Sequence, residues 1–122
     1  MVQITELDKI GFDERGYTYE YFHERMGRHL VIFRKANTLS GNHYHKGNSL
    51  NKNPEILLLL SGVITFRYRH LDHSQIEIIQ ISVPSKIEIP AYVWHEIYCH
   101  TDCTMLEMNA LSEHQIDTFR ES

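Results

Sequence analysis

Short hydrophobic runs separated by turn residues recur along most of the chain. Residues 55–60 (EILLLL) and 63–70 (VITFRYRH) flank the turn dipeptide Ser61–Gly62, and we expect these two runs to form a hairpin. In the second run polar and apolar residues alternate, as in a strand that buries one face. The other strand-like runs are residues 17–22, 29–36, 76–83, 85–90, 94–99 and 103–110. Runs this short and this closely spaced predict an all-β protein.

The C-terminal residues 111–121 have a different pattern. Ser112 and Gln115 have the spacing of a helical capping box, and Ile116 and Phe119 fall on one face of a helix. We therefore expect a short C-terminal helix that packs against the outside of the β structure. About eight strands in so short a chain favour a small jelly-roll β-barrel or a double-sheet jelly roll, because closing or stacking sheets removes exposed edges.

Composition and charge exclude several kinds of partner. Hydrophobic residues make up 42% of the chain and charged residues 23%, as in ordinary globular domains, and no linker divides residues 1–122, so we expect a single domain. A formal charge of -4 argues against nucleic acid, because phosphate binding needs a basic surface. The longest apolar run, residues 56–60, is too short to span a membrane, and residues 1–16 do not resemble a signal peptide. We expect a cytoplasmic protein without a nucleic-acid or membrane partner.

Three of the nine histidines can meet a carboxylate. His43 and His45 are two residues apart, so in a strand both point to the same side. His95 lies on the apolar face of a later strand, and Glu55 opens the strand-like run that follows His45. Neutral imidazoles and a carboxylate are ligands that divalent metals accept. The H-x-H spacing alone is weak evidence, and two loop histidines with an unrelated acid are the alternative.

Two longer stretches of sequence give these residues a common context. HYH followed by EILLLLSG resembles the first motif of the cupin superfamily, with six residues between the glutamate and the glycine, and PAYVWH resembles the second. The matching positions are His43, His45, Glu55, Gly62, Pro90 and His95. The resemblance covers about residues 29–110 and implies a small jelly-roll β-barrel that holds one divalent transition metal (Zn, Fe, Mn or Ni). The metal ligands it implies are His43, His45, Glu55 and His95.

The sequence also departs from the cupin motifs at several positions. Nine residues separate His45 from Glu55 where three or four are usual, so residues 46–54 contain an inserted loop. A three-histidine site with Glu55 nearby but not coordinating is therefore the alternative ligand set. Tyr92 stands at a glycine position of the second motif. Such a loop at the barrel mouth is where we expect substrate specificity to lie.

Within the superfamily, DERGYTYEYF (13–22), GNHYHK and PAYVWHEIY look most like the sugar-nucleotide branch. That branch contains dTDP-sugar epimerases, dTDP-hexulose 3,4-ketoisomerases and the cupin domain of capsular polysaccharide reductases. These enzymes move a proton on the carbon next to a sugar ketone, a task that suits a histidine base and a tyrosine acid. The resemblance therefore implies a small-molecule ligand such as a sugar. The candidate bases are His43 and His45, and the candidate acids are Tyr44, Tyr92 and Tyr98.

Arginines that hold the nucleotide diphosphate are part of the same resemblance. The relatives usually carry one directly before the glycine that precedes the histidine strand, where this chain has Ser40. Arg15 is retained, and Arg67 and Arg69 on a later strand are candidates to compensate.

Two other functions stay open at the level of sequence. A metal-dependent dioxygenase or lyase would use the same ligand set, and a non-enzymatic cupin would bind a small ligand without turnover. Small cupins commonly dimerise by extending a sheet, so we expect a homodimer with residues 17–22 as the edge strand. Solvated loops are the expected location of the remaining histidines, His23, His29, His70, His73, His100 and His114.

Overall fold

Two β-sheets packed face to face make up most of the chain in the computed structural model, which describes residues 1–121. The strands are β1 (Gln3–Glu6), β2 (Asp8–Asp13), β3 (Gly16–Glu20), β4 (Leu30–Arg34), β5 (Thr38–His43), β6 (Glu55–Ser61), β7 (Ile64–His70), β8 (Glu77–Ile81), β9 (Ser85–Ile89), β10 (Val93–Cys99) and β11 (Cys103–Glu107), and the helix is α1 (Leu111–Ile116). The first sheet has the order β1-β9-β6-β11-β4 and the second the order β5-β10-β7-β8, while β2 and β3 form a separate two-stranded ribbon. The expectation of an all-β protein with a short C-terminal helix is confirmed.

The core between the sheets is made by alternate side chains of their central strands. Leu57 and Leu59 of β6 meet Phe66 of β7 and Ile97 of β10 in one buried cluster. The intervening side chains of β6 are also buried, since Ile56 and Leu58 pack with Met108 in a second cluster. The uninterrupted apolar run of β6 therefore reflects a strand that is covered on both faces.

The predicted hairpin of residues 55–60 and 63–70 is wrong. β6 pairs with β9 and β11 in the first sheet, whereas β7 pairs with β10 and β8 in the second. Because both edges of β6 are already occupied, β7 has no edge of β6 to pair with. Gly62 turns the chain between the sheets with a φ of 108°, and a Cβ at this position would lie 2.5 Å from the Sγ of Cys103.

Closure of the predicted β-barrel is also not observed. In residues 1–121 no strand pairing joins the two sheets, so the fold is a two-sheet jelly-roll sandwich. The edge strands β4 and β5 are not paired with each other, and residues of both line a cavity that is described below. No helix in this part of the chain is long and apolar enough to cross a bilayer.

The C-terminal helix begins two residues earlier than a capping box at Ser112 would place it. Ala110 is the N-cap, and Glu113, not Gln115, occupies the third helical position. The carboxylate of Glu113 accepts a hydrogen bond from the backbone N–H of Ala110 at 2.8 Å. This contact satisfies one of the backbone donors that a helix start leaves free.

Candidate functional site

The three predicted histidines meet in space. His43 of β5 is the register partner of His95 on β10, and His45 follows two residues after His43. Their ring centroids are 4.8 Å apart for His43 and His95, 5.0 Å for His43 and His45, and 5.3 Å for His45 and His95. One ring nitrogen from each lies within 4.8 Å of the others, so the three imidazoles converge on a common space.

A β-bulge directs His43 toward His95. The pairing of β5 with β10 shifts between His95 and Glu96, which leaves Asn42 as the extra residue. Gly41 and Asn42 both have positive φ, 92° and 61°. A Cβ at Gly41 would lie 2.9 Å from the carbonyl oxygen of His95. The glycine before the histidine strand therefore allows the close approach of β5 to β10 that aims His43 inward.

Replacing Gly41 by alanine is expected to destabilise the protein by about 1–3 kcal/mol more than replacing Gly27 by alanine, because of the added steric clash. Gly27 is a matched control, since its φ is 91° and a Cβ there would meet no atom within 4 Å. Urea unfolding of the two variants measures the difference. Equal losses of stability in the Gly41 and Gly27 variants would show that a Cβ close to the carbonyl oxygen of His95 does not destabilise the fold.

Tyr92 adopts a conformation that usually belongs to glycine. Its φ is 63°, in agreement with its place at a glycine position of the cupin motif. The backbone N–H of Tyr92 donates to the carbonyl oxygen of His45 at 2.7 Å. This hydrogen bond ties the segment before β10 to the segment that carries His45.

Glu55 reaches the histidines in spite of the nine-residue insertion. Its Oε1 lies 2.5 Å from Nε2 of His45 and 4.0 Å from Nε2 of His95. Burial by itself would raise the pKa of Glu55, but the contact with His45 and the positive charge of Lys52 hold that pKa well below its ordinary value. The carboxylate is therefore ionised inside the protein.

Three further polar side chains complete the cluster, and sequence analysis missed all of them. The ammonium of Lys52 donates to Oε1 of Glu55 and to Nδ1 of His114, both at 3.0 Å, and lies 3.5 Å from Oε1 of Glu107. Lys52 has no exposed surface, which is rare for a lysine. His114, expected in a solvated loop, lies on α1 with its ring centroid 5.4 Å from that of His43.

A sequence signal existed for one of these three residues. Glu107 follows Cys103 and Met105 on the buried face of β11, so an acid stands where alternation demands an apolar side chain. Lys52 lies in a polar loop without periodicity, and His114 on a helix of six residues. Neither position distinguishes its residue from a solvated one.

The inserted loop, residues 46–54, is held by the end of the chain. The carboxylate of Glu113 accepts hydrogen bonds from Oγ of Ser49 at 2.7 Å and from Nδ2 of Asn51 at 2.9 Å. The buried carboxylate of Asp117 accepts from the backbone N–H groups of Lys46 and Ser49 at 2.8 and 3.0 Å. Four contacts to two carboxylates thus order the loop that carries Lys52 inward.

Burial sets the protonation of the cluster. It lowers the pKa of His43 to about 3, with neighbouring His95 as the next cause, and lowers the pKa of His114 to about 4, helped by the charge of Lys52. The pKa of His95 is lowered for the same primary reason. Burial raises the pKa of Glu107 to about 7, and the negative charge of Glu55 adds to this. At neutral pH these three imidazoles are therefore neutral and offer lone pairs.

A cavity of about 300 Å³ opens onto the cluster between the edge strands β4 and β5. Its polar lining comprises Arg34, Ser40, His43, Glu55, His95, Glu107 and His114. A larger cavity of about 810 Å³ lies elsewhere, beside His70 and His73 in the β7–β8 turn, and contains none of the clustered side chains. Chemistry rather than size therefore identifies the smaller cavity as the candidate site.

The predicted tyrosine acids lie away from this cavity. The ring of Tyr44 packs against Tyr92 and Phe119, with centroids 6.3 and 5.8 Å apart. The hydroxyl of Tyr98 donates to Oδ1 of Asn37 at 2.9 Å. None of the three tyrosines lines the cavity, so the structure does not bring them to the histidines.

The guanidinium of Arg34 lies beside Ser40, the position at which the relatives usually carry an arginine. Nε of Arg34, on β4, donates to Oγ of Ser40 at 3.1 Å, and Arg120 donates to the carbonyl oxygen of Asn42 at 3.1 Å. Both arginines line an outer cavity that also reaches His43. The three arginines that the sequence suggested for the diphosphate are engaged elsewhere, Arg15 with Asp13, Arg67 with Glu96 and Arg69 with Glu121.

The donor set fits a metal ion in part. The Nε2 atoms of His45 and His95 are buried without a hydrogen-bond partner, and the close Nε2–Glu55 contact of His45 is not aligned as a hydrogen bond. Three convergent imidazoles suit a divalent metal with an open position. Glu55 is already engaged by the ammonium of Lys52. The three histidines therefore fit the ion that the cupin resemblance implies, whereas the carboxylate of Glu55 would have to be shared between that ion and Lys52.

Comparison with known proteins gives the fold a family context. No family model matches the chain, and no curated protein matches it. Among solved structures, QdtA, a sugar 3,4-ketoisomerase from Thermoanaerobacterium thermosaccharolyticum in complex with TDP, is 22% identical, with a TM-score of 0.74 over 98% of this chain and 88% of that one. ChmJ, a 3'-monoepimerase from Streptomyces bikiniensis in complex with dTDP, is 13% identical, with a TM-score of 0.74 over 92% and 66%.

A third similar structure belongs to a longer protein. The capsular polysaccharide assembling protein CapF from Staphylococcus aureus is 26% identical, with a TM-score of 0.63 over 92% of this chain but only 34% of CapF. These likenesses agree with the motifs that surround His43 and His95. The chain therefore shares the fold of these sugar ketoisomerases and epimerases.

Proposed function

We propose that the protein is an isomerase or epimerase that moves a proton on the carbon next to the ketone of a nucleotide-linked sugar. The observation that carries this proposal is the half-buried, neutral imidazole of His43, which lines both the inner and the outer cavity. Similar folds hold TDP or dTDP in QdtA and ChmJ.

His43 is the side chain best placed to take up the proton. Its lone pair faces a small cavity, and the negative charge of Glu55 favours the protonated form that burial disfavours. His95 and His114 flank it. Delivery of the proton to the former carbonyl carbon, with the hydroxyl proton of the first carbon passing to the former carbonyl oxygen, would give a ketoisomerase, and delivery of a proton to the opposite face of the first carbon an epimerase.

The proposal is tested by proton exchange. The protein is incubated in D₂O with TDP-4-keto-6-deoxyglucose, the ligand in one solved structure of QdtA. Deuterium should enter the sugar at the carbon next to the ketone, and nuclear magnetic resonance of the product separates isomerisation from epimerisation. Binding of the sugar nucleotide without exchange would instead favour a non-enzymatic binding protein.

Arg34 and Arg120 are the groups we propose for the diphosphate. Replacing Arg34 by alanine is expected to weaken TDP binding about 10- to 100-fold, because a hydrogen bond between charged groups contributes about 1.5–3 kcal/mol. Titration calorimetry measures the affinity. Arg15→Ala is the matched control, since Arg15 pairs with Asp13 on the exposed ribbon. Equal affinity in both variants would exclude this role for Arg34.

The three-histidine geometry also favours a metal-dependent alternative, in which His43 would serve as a ligand and not as the base. We infer that His43, His45 and His95 would hold the ion. When bound, a divalent ion would polarise the sugar ketone as a Lewis acid. Oxygen consumption by an Fe(II)-loaded sample would point to a dioxygenase in place of an isomerase.

A homodimer is proposed for the assembly. The ribbon of β2 and β3, which contains most of the predicted edge segment 17–22, pairs with neither sheet and leaves Ile10, Phe12 and Tyr17 exposed. An apolar ribbon of this kind fits a second copy of the chain. Analytical ultracentrifugation that finds only monomer would contradict it.

A further inference from the structure

Lys52 is a cation that the chain itself places inside the candidate site. An ammonium group has three donors, and three acceptors surround this one: Glu55, Glu107 and Nδ1 of His114. The side chain is fully buried, and a buried charge persists only when it is paired. The arrangement is therefore a complete cation site whose occupant is covalently attached.

The same carboxylate oxygen serves both Lys52 and the histidines. Oε1 of Glu55 is 3.0 Å from Nζ of Lys52 and 2.5 Å from Nε2 of His45. The other ring nitrogen of His45 faces the carbonyl oxygen of Asp117 at 2.6 Å. A metal ion at Nε2 of His45 and the ammonium of Lys52 would thus compete for one oxygen, and their like charges would repel each other.

We propose that Lys52 acts as the resident cation of this site and withholds Glu55 from metal coordination, so that the native chain binds divalent metals only weakly, through His43, His45 and His95. This inference concerns the metal-dependent alternative to the proposed function and is independent of proton transfer by His43. It assigns to the inserted loop a role that the cupin motifs do not contain.

The structure also explains why Lys52 does not simply move out of the way. Its backbone N–H donates to the carbonyl oxygen of Ser49, and its backbone forms a bridge with Glu55. Ser49 and Asn51 are in turn held by Glu113. These contacts fix the backbone of Lys52, and moving its ammonium to solvent would leave Glu55 and Glu107 without their shared counter-charge.

Lys52→Met tests the proposal because methionine has a similar length and no charge. Zn²⁺ alone is titrated into wild type and variant by calorimetry, and Co²⁺ absorption reports the coordination geometry. Releasing one carboxylate ligand should tighten Zn²⁺ binding about 10- to 100-fold. Lys46→Met is the control, since Lys46 lies in the same loop with its Nζ over the ring of Phe119.

Glu55→Gln shows whether the gain comes from this carboxylate. It should abolish the gain in the Lys52→Met background and hardly change Zn²⁺ affinity in the wild-type background. If Lys52→Met alone unfolds because Glu107 loses its counter-charge, Lys52→Met with Glu107→Gln provides a second folded comparison. Equal Zn²⁺ affinity with and without Lys52, tight wild-type binding that depends on Glu55, or no Zn²⁺ binding by any variant would each overturn the proposal.

Discussion

Replacing His43 by asparagine is expected to lower the rate of deuterium exchange into TDP-4-keto-6-deoxyglucose about 10²- to 10⁴-fold, the contribution typical of a general base. Asparagine is polar and small enough for the cavity, but its amide cannot accept a proton at neutral pH. His43 is only half-buried and makes no hydrogen bond that orders the fold in the described residues. The loss should therefore appear in kcat while the affinity for TDP stays nearly unchanged.

His100→Asn provides the control for this experiment. His100 is exposed in the turn between β10 and β11, where its ring contacts Oγ1 of Thr65, and it does not line the cavity. The variant His100→Asn should leave the rate of deuterium exchange unchanged. If His43→Asn retains wild-type exchange, the base must be sought among the other imidazoles of the cavity. A parallel loss of TDP affinity would place His43 in binding instead.

Replacing Glu55 by leucine is expected to lower the free energy of unfolding by about 3 kcal/mol or more at neutral pH, because it breaks a buried ion pair from one side. Lys52 would then keep only Glu107, whose pKa is raised to about 7, as a charged partner. Urea unfolding followed by circular dichroism measures the loss. The double variant Lys52→Met with Glu55→Leu should recover part of it, since both charges are removed together.

The loss of stability caused by Glu55→Leu should depend on pH. The folded-state pKa of Glu55 is lowered, so its stabilising effect is present above its ordinary pKa of 4.5 and is lost as the pH falls through the lower value. The difference in the free energy of unfolding between wild type and Glu55→Leu should therefore become smaller at acid pH. Asp13→Asn, which removes an exposed ion pair with Arg15, serves as the control and should change stability little. A gap that stays constant down to acid pH would contradict an ionised Glu55.

Strand periodicity was enough to predict that His43, His45 and His95 face inward. Two residues apart on one strand, His43 and His45 had to share a face, and the apolar neighbours of His95 put it inside. The cupin resemblance then connected Glu55 to these histidines across the inserted loop, and the structure places its Oε1 2.5 Å from His45.

Periodicity did not predict the conformations of turns or the contacts between strands distant in sequence. Gly62 sends β7 into the other sheet, where the dipeptide Ser61–Gly62 alone favoured a hairpin. The conformation of such a turn is decided by what it packs against, here Cys103. The same limit applies to Arg34, which reaches Ser40 from a neighbouring edge strand.

Local alternation and short motifs were enough to predict the all-β class, the inward-facing histidines and the association of Glu55 with them. The open sheets and the presence of Lys52, Glu107 and His114 in the site depend instead on long-range packing. Lys52 lies within an aperiodic loop, and the loop is positioned by Glu113 and Asp117, more than 60 residues later in the chain. Contacts of that range depend on how the whole chain packs.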